Sequence, residues 1–236
     1  MKKFFCLLLA GLMLIPACVA GLAERALMHS AAAFDEVPIM SPAFVLDAGH
    51  GGEDGGAVSP AGIRESDINL DIVLKMEDVL SFCVGAPVLL RRDDRSLHSD
   101  GAVSLREKKV SDLKNRVAAL DAEPEATLVS IHQNTYQNSK YHGAQVFYAP
   151  TEGSEALAAH IQRAIRESLQ PGNEREHKRI PESVYLMNHI KNRAVLVECG
   201  FLTNPGEEEL LSREEYRRKM AVVLTSALLT ADGWVR

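Results

Sequence analysis

The sequence is short of cysteine, of positive charge and of phosphate-binding glycine patterns, and each shortage removes a class of protein. Its four cysteines, Cys6, Cys18, Cys83 and Cys199, include no Cys-x-x-Cys pair. They indicate neither a zinc ribbon nor a disulfide framework. Lysine and arginine number 26 against 32 acidic residues, a formal net charge of −6. Nucleic acid needs a basic face and is excluded as a partner, and this balance gives no attraction to anionic lipid headgroups. Neither GxGxxG nor GxxxxGK(S/T) occurs, so no phosphate cradle is built from glycine. There is no internal repeat. What remains is an ordinary globular composition, 46% hydrophobic and 25% charged over 236 residues. That length suits one domain with a short appendage.

The appendage is N-terminal. Lys2-Lys3 precedes an uncharged apolar run from Phe4 to about Ala20, the pattern of an export signal. Three outcomes stay open. Cleavage follows an imperfect small-residue site at Ala17-Cys18-Val19-Ala20, lipidation follows a poor lipoprotein box at Ile15-Pro16-Ala17-Cys18, or residues 4–20 persist as a membrane anchor at the lower limit of spanning length. We divide the chain into a signal or anchor over 1–23, a linker over 24–41 and one folded domain over 42–236.

Within the domain, apolar runs alternate with amphipathic ones. Strands are expected from Phe44, over Pro87–Leu90, Thr127–Asn134, Ala144–Ala149 and Arg193–Phe201. A helix is expected over about Asp67–Phe82, capped by Ser66 or Asp67, with Ile68, Ile72, Met76 and Leu80 on one face. Ser104 and Glu107 form a capping box opening a second helix, whose apolar face is Val110, Leu113, Val117 and Leu120. A third helix spans Ser154–Leu169. Residues Asn173–Ser183 read as loop and Asn204-Pro205-Gly206 as a turn. The last helix starts near Ser212, boxed with Glu215, and runs to about Thr230. The alternation predicts an α/β domain: three layers, a mostly parallel sheet of about six strands, and helices on both faces.

In such a sheet ligands bind beyond the carboxyl ends of the strands. His50, His132 and Glu198 each stand at the end of an apolar run, and Glu65 opens the first helix after a glycine loop. Two imidazoles with a carboxylate make the ligand set of a catalytic zinc, and a further carboxylate can serve as general base. Each residue also has a plain role. Glu65 favours a helix N-terminus, and His132 can donate to a carbonyl. Glu198 lies in Ala-Val-Leu-Val-Glu-Cys-Gly-Phe, where burial without a partner is costly. His98, His142, His160, His177 and His189 fall on expected helices or loops and read as surface residues.

Four stretches then combine. They are Asp47-Ala48-Gly49-His50-Gly51-Gly52, Glu65 with Asn69-Leu70, Ser130-Ile131-His132-Gln133-Asn134, and Val197-Glu198-Cys199-Gly200-Phe201-Leu202-Thr203-Asn204-Pro205. In this order they resemble the zinc-dependent N-acetylmuramoyl-L-alanine amidases of the cell wall. Lys108–Val117 and Tyr185-Leu186-Met187-Asn188 further resemble the germination-specific branch of spore-forming bacteria. The resemblance implies one zinc ion per chain on His50, Glu65 and His132, with Glu198 catalytic. It also implies cleavage between the lactyl group of N-acetylmuramic acid and L-alanine in peptidoglycan. Asn134 is a weaker substrate-binding candidate, and Asp47 is a candidate partner of His50 or a brace for the turn. An exported or wall-associated location follows, with an accessory protein left open. Two departures stand out: the usual Thr-Arg-x-x-Asp appears as Arg91-Arg92-Asp93-Asp94-Arg95, and the usual Asn before the second histidine appears as Asp121. The competing readings are a zinc peptidase of stem peptides and a catalytically inactive zinc- or glycan-binding module.

Overall fold

The computed structural model describes residues 43–231. The signal or anchor and the linker expected over 1–23 and 24–41 lie outside the described residues. Among the described residues, no helix is long and apolar enough to cross a membrane.

Six strands form one sheet: β1 (Phe44–Ala48), β2 (Val88–Leu89), β3 (Thr127–Asn134), β4 (Gln145–Tyr148), β5 (Lys178–Arg179) and β6 (Ala194–Phe201). Their spatial order is β2-β1-β3-β6-β4-β5. Every pairing is parallel except β4 with β6. β1, β3 and β6 read as continuous apolar runs because both faces of a parallel sheet are covered. Phe44 and Leu46 face one core cluster and Val45 the other.

Three helices cover the first face: α1 (Glu65–Cys83), α3 (Ser154–Ser168) and, near the C-terminus, α6 (Glu214–Ala231). Ile68, Ile72, Met76 and Leu80 of α1 are fully enclosed there, as their spacing predicts. The second face carries α2 (Leu105–Asp121) and the four-residue α4 (Tyr185–Asn188). α2 is held more lightly. Leu120 is buried, but Val110 is 46% exposed, so the apolar face expected of this helix is shorter than four residues. Its Ser104–Glu107 capping box is present.

Three local expectations are corrected. α1 begins at Glu65, not Asp67, and its N-cap is Arg64 with no side-chain cap; carbonyls of the glycine loop accept its first amides instead, Ala57 from Glu65 at 2.8 Å and Gly55 from Ser66 at 3.1 Å. The Asn173–Ser183 loop contains β5, two exposed residues that prolong the sheet edge. Finally, Asn204-Pro205-Gly206 opens a helix, α5 (Pro205–Ser212), with Asn204 accepting from the amides of Gly206 and Glu207. Ser212 ends that helix, donating to Glu209 O at 2.7 Å, and does not cap α6.

Topology places the site. From β1 the chain crosses outward to β2 and then returns to β3 on the other flank of β1. The connections leaving β1 and β3 thus run in opposite directions, opening a crevice between their carboxyl ends. His50 follows β1 and His132 lies near the end of β3. Glu198 on β6 is the direct register partner of His132.

Candidate metal centre and active site

The chain leaves β1 through an unusual turn. His50 takes a left-handed φ of 62°, a conformation that costs a non-glycine residue free energy and that surrounding contacts must enforce. Those contacts are explicit. Gly51 N donates to Asp54 O at 2.8 Å and Asp54 N returns the bond to Gly51 O at 3.2 Å. The His50 carbonyl accepts from Arg116 Nη2 at 2.8 Å. Before it, Gly49 lies directly beneath the second histidine: a Cβ there would stand 2.2 Å from His132 Cε1 and Nε2. Only glycine lets the two histidine-bearing segments approach this closely.

One ligand atom from each of His50, Glu65 and His132 falls within 4.8 Å of the others. Glu65 Oε1 is the hub, 3.3 Å from His50 Nε2 and 3.0 Å from His132 Nδ1. Ligands held about 2.0–2.1 Å from a tetrahedral ion stand roughly 3.3–3.4 Å apart, so Glu65 Oε1 stands from each histidine at about the spacing that a shared cation requires. The imidazole rings meet edge to face, with centroids 5.0 Å apart and planes at 74°.

A second layer of bonds fixes these groups. Glu65 Oε2 accepts from Ala57 N at 2.9 Å, and its Oε1 accepts from Gln133 N at 3.0 Å. Burial alone would raise the pKa of Glu65, but the hydrogen bonds and charges of His132 and His50 outweigh it and hold the carboxyl far below its usual range. His50 Nδ1 is 3.0 Å from Asp54 Oδ2. Burial opposes protonation of this imidazole, yet Asp54 and Glu65 prevail and raise its pKa to about 9.

The partner of His50 is therefore Asp54, a residue the sequence reading passes over. Its visible signal was a carboxylate four positions on, within the same glycine loop. Asp47, the candidate for that role, is buried elsewhere: it accepts from Ser130 Oγ at 2.6 Å and pairs with Arg116. It reaches His50 only through the Arg116 guanidinium, which makes it a brace. Arg91 is a second brace. Its guanidinium is buried and donates to four backbone carbonyls: Ala48 at 2.8 Å, Gly49 at 3.0 Å, Ser66 at 2.8 Å and Asp93 at 3.0 Å. Asp94 accepts from Gly52 N at 2.8 Å and from Arg64 at 3.0 Å. The Arg91-x-x-Asp94 stretch thus supports the glycine loop. Asp121 closes α2 on the surface.

Glu198 is half-buried, and its Oε2 is enclosed with no hydrogen-bond partner. Burial, with the charge of Glu65 adding to it, lifts its pKa to about 7 against the opposing pull of His132 and His50. A cleft of about 190 Å³ is lined by His50, His132 and Glu198 together with Lys109, Val184 and Leu186. Asn134 ends β3, half-buried, with its carbonyl accepting from Leu202 N at 2.9 Å. None of the other described histidines joins the cluster. His142 and His189 are exposed, while His98 is half-buried against Glu53 at 3.2 Å, His160 bonds Thr230 at 2.9 Å, and His177 lies beside Tyr148.

A His-Glu-His cluster able to hold a metal ion and a carboxylate of raised pKa, set at the switch point of a mostly parallel sheet, are the parts of a metal-assisted hydrolase built on an α/β domain. Residues 44–230 match the N-acetylmuramoyl-L-alanine amidase family, and the chain belongs to it. It is an amide hydrolase of that class. The germination-specific N-acetylmuramoyl-L-alanine amidase of Bacillus subtilis (strain 168) is 32% identical over 194 residues, 82% of this chain and 81% of that one. Among solved structures, the CwlD amidase of Clostridioides difficile, in complex with the GerS lipoprotein, superposes with a TM-score of 0.77 at 36% identity. That match covers 80% of this chain and 98% of the other. An N-acetylmuramoyl-L-alanine amidase from Clostridium difficile 630 gives a TM-score of 0.68 at 29% identity, covering 81% and 97%.

Proposed function

We propose that this protein is a zinc-dependent amidase that cleaves peptidoglycan between the lactyl group of N-acetylmuramic acid and L-alanine, in spore cortex maturation or germination. The observation that carries the reading is the convergence of His50, Glu65 and His132 within 4.8 Å, beside a buried carboxylate oxygen with nothing to bond. We assign His50 Nε2, Glu65 and His132 Nδ1 as the metal-holding atoms. The donor set is that of catalytic zinc, which supplies Lewis acidity at a carbonyl and water acidic enough to attack near neutral pH.

The remaining chemistry belongs to the chain. Asp54 orients the His50 ring and fixes which nitrogen faces the ion. Glu198 takes a proton from the attacking water, holds it on a carboxyl whose pKa lies near the working pH, and returns it to the departing amine of alanine. The walls of the cleft, Val184, Leu186 and Leu196, keep bulk water from the carboxylate. Asn134, at the mouth of β3, orients substrate.

The germination-specific relative supports the spore role, and the lipoprotein bound to the Clostridioides relative supports an accessory protein partner here as well. Peptidoglycan as substrate places the action outside the cytoplasm, consistent with the export signal read in residues 1–23. The test is incubation of the purified protein with peptidoglycan, with and without a chelator, and identification of products by mass. Free lactyl groups on the glycan, lost on chelation and restored by zinc, are the expected result. New amino-acid ends within the stem would make it a peptidase, and no product in either arm would make it a binding module.

A further inference from the structure

We propose that Lys109 determines specificity on the peptide side of the scissile bond, by binding a carboxylate carried by the residue that follows the alanine. This rests on the amidase reading above and deepens it. α2 brings Lys108 and Lys109 to the mouth of the site, and the structure treats the two lysines differently. Lys108 is tied to Glu53, which also meets His98. Lys109 Nζ has a looser contact, 3.4 Å from Asp54 Oδ2, the same oxygen that His50 Nδ1 approaches at 3.0 Å. Both members of the Lys109–Asp54 pair are well exposed, 59% and 41%. Exposed pairs of this kind contribute about 0–1 kcal/mol, so an arriving anion can replace Asp54 at little cost. Asp54 keeps His50 and the Gly56 amide, at 3.2 Å, whether or not Lys109 stays.

Placement favours the same residue. Two cavities, about 170 Å³ and 190 Å³, flank His50, and Lys109 lines both. The other cation on the second cavity, Arg116, is already committed to Asp47, Asp112 and the carbonyls of Ala48 and His50. Lysine carries three donors and no acceptor, so Lys109 suits a carboxylate and gives nothing to a neutral carboxamide that water would not. One extended residue spans about 3.3–3.6 Å. Lys109 lines the same cleft as His132 and Glu198, so this long side chain can meet an acid carried one residue beyond the scissile amide.

The experiment uses the full chain and two synthetic muramoyl peptides that differ only in the residue after alanine, which carries either a carboxylate or a carboxamide. Wild-type protein is expected to favour the carboxylate by about 2–5-fold in kcat/KM, the worth of an exposed ion pair of up to about 1 kcal/mol, with the difference in KM. Lys109→Met should bring the ratio to near one at unchanged melting temperature, and Lys109→Arg should restore most of it. A wild-type ratio near one, or a Lys109→Met variant that keeps the wild-type ratio, overturns the proposal while the amidase reading stands. Cleavage of neither peptide by wild-type protein removes both.

Discussion

Replacing Glu198 by glutamine separates proton transfer from metal binding and from packing. The side chains are nearly isosteric, so no cavity opens. Glu198 Oε2 has no partner to lose. If Glu198 is the base and not a ligand, the variant should hold metal at the wild-type stoichiometry while turnover falls by about 10²–10⁴-fold. That corresponds to roughly 3–5 kcal/mol of lost transition-state stabilisation. Stability should move the other way, and with a definite pH dependence. The carboxyl has a pKa of 4.5 as its ordinary value and about 7 in the folded protein. Because the folded value is the higher one, its contribution is fully present below 4.5 and is lost as pH rises through 7. In chelator-treated protein, Glu198→Gln should therefore raise the melting temperature relative to wild type more at pH 8 than at pH 4. The assays are muropeptide hydrolysis, metal content per chain and thermal melts at both pH values. Wild-type turnover in a metal-replete Glu198→Gln protein would refute the role, and a pH-independent stability difference would refute the electrostatic account of the buried carboxyl.

Three further substitutions probe the frame around it. Gly49→Ala puts a methyl 2.2 Å from the His132 ring; it should displace that ring and abolish metal binding while circular dichroism stays native, and a fully metallated variant would show the contact to be soft. Asp54→Asn retains an oxygen for His50 Nδ1 but removes the charge, so metal affinity in a chelator competition should drop by about 10–100-fold. Arg91→Met strips four carbonyls of a buried donor and should cost about 2–4 kcal/mol in denaturant titration, with an effect below 1 kcal/mol counting against the bracing role.

The parts of the fold that depend on long apolar periodicity were legible in the sequence. β3 and β6 are eight-residue runs buried on both faces, and the buried stripe of α1 follows from Ile68, Ile72, Met76 and Leu80. The amphipathic rule was less informative for α2, which packs lightly and spends its buried surface on Arg116 as well as Leu120. α5 was hidden by a competing signal. Asn-Pro-Gly is a turn pattern, but asparagine before proline is also an N-cap followed by the favoured first helical residue. β5 has two exposed charged residues and carries no hydrophobic pattern at all. At the site, strand ends brought out His50, His132 and Glu198, while Glu65 as the third member of the cluster came from the family resemblance. The roles of Arg91 and Arg116 were not legible, because a cation buried among carbonyls is chosen by backbone positions that only the folded chain creates.

Arg91 also governs how the site can come apart. Its guanidinium gathers carbonyls from the end of β1, from the first turn of α1 and from the segment after β2. None of the three can swing away without breaking bonds to the same side chain. Glu65 occupies the first helical position of α1, where an isolated helix would fray most readily. Here the usual fraying is linked to the release of two other segments, so the first turn of α1 opens as part of a larger cooperative unit. A carboxylate that cannot loosen by itself keeps the three candidate metal-holding side chains together through every fluctuation short of that shared opening.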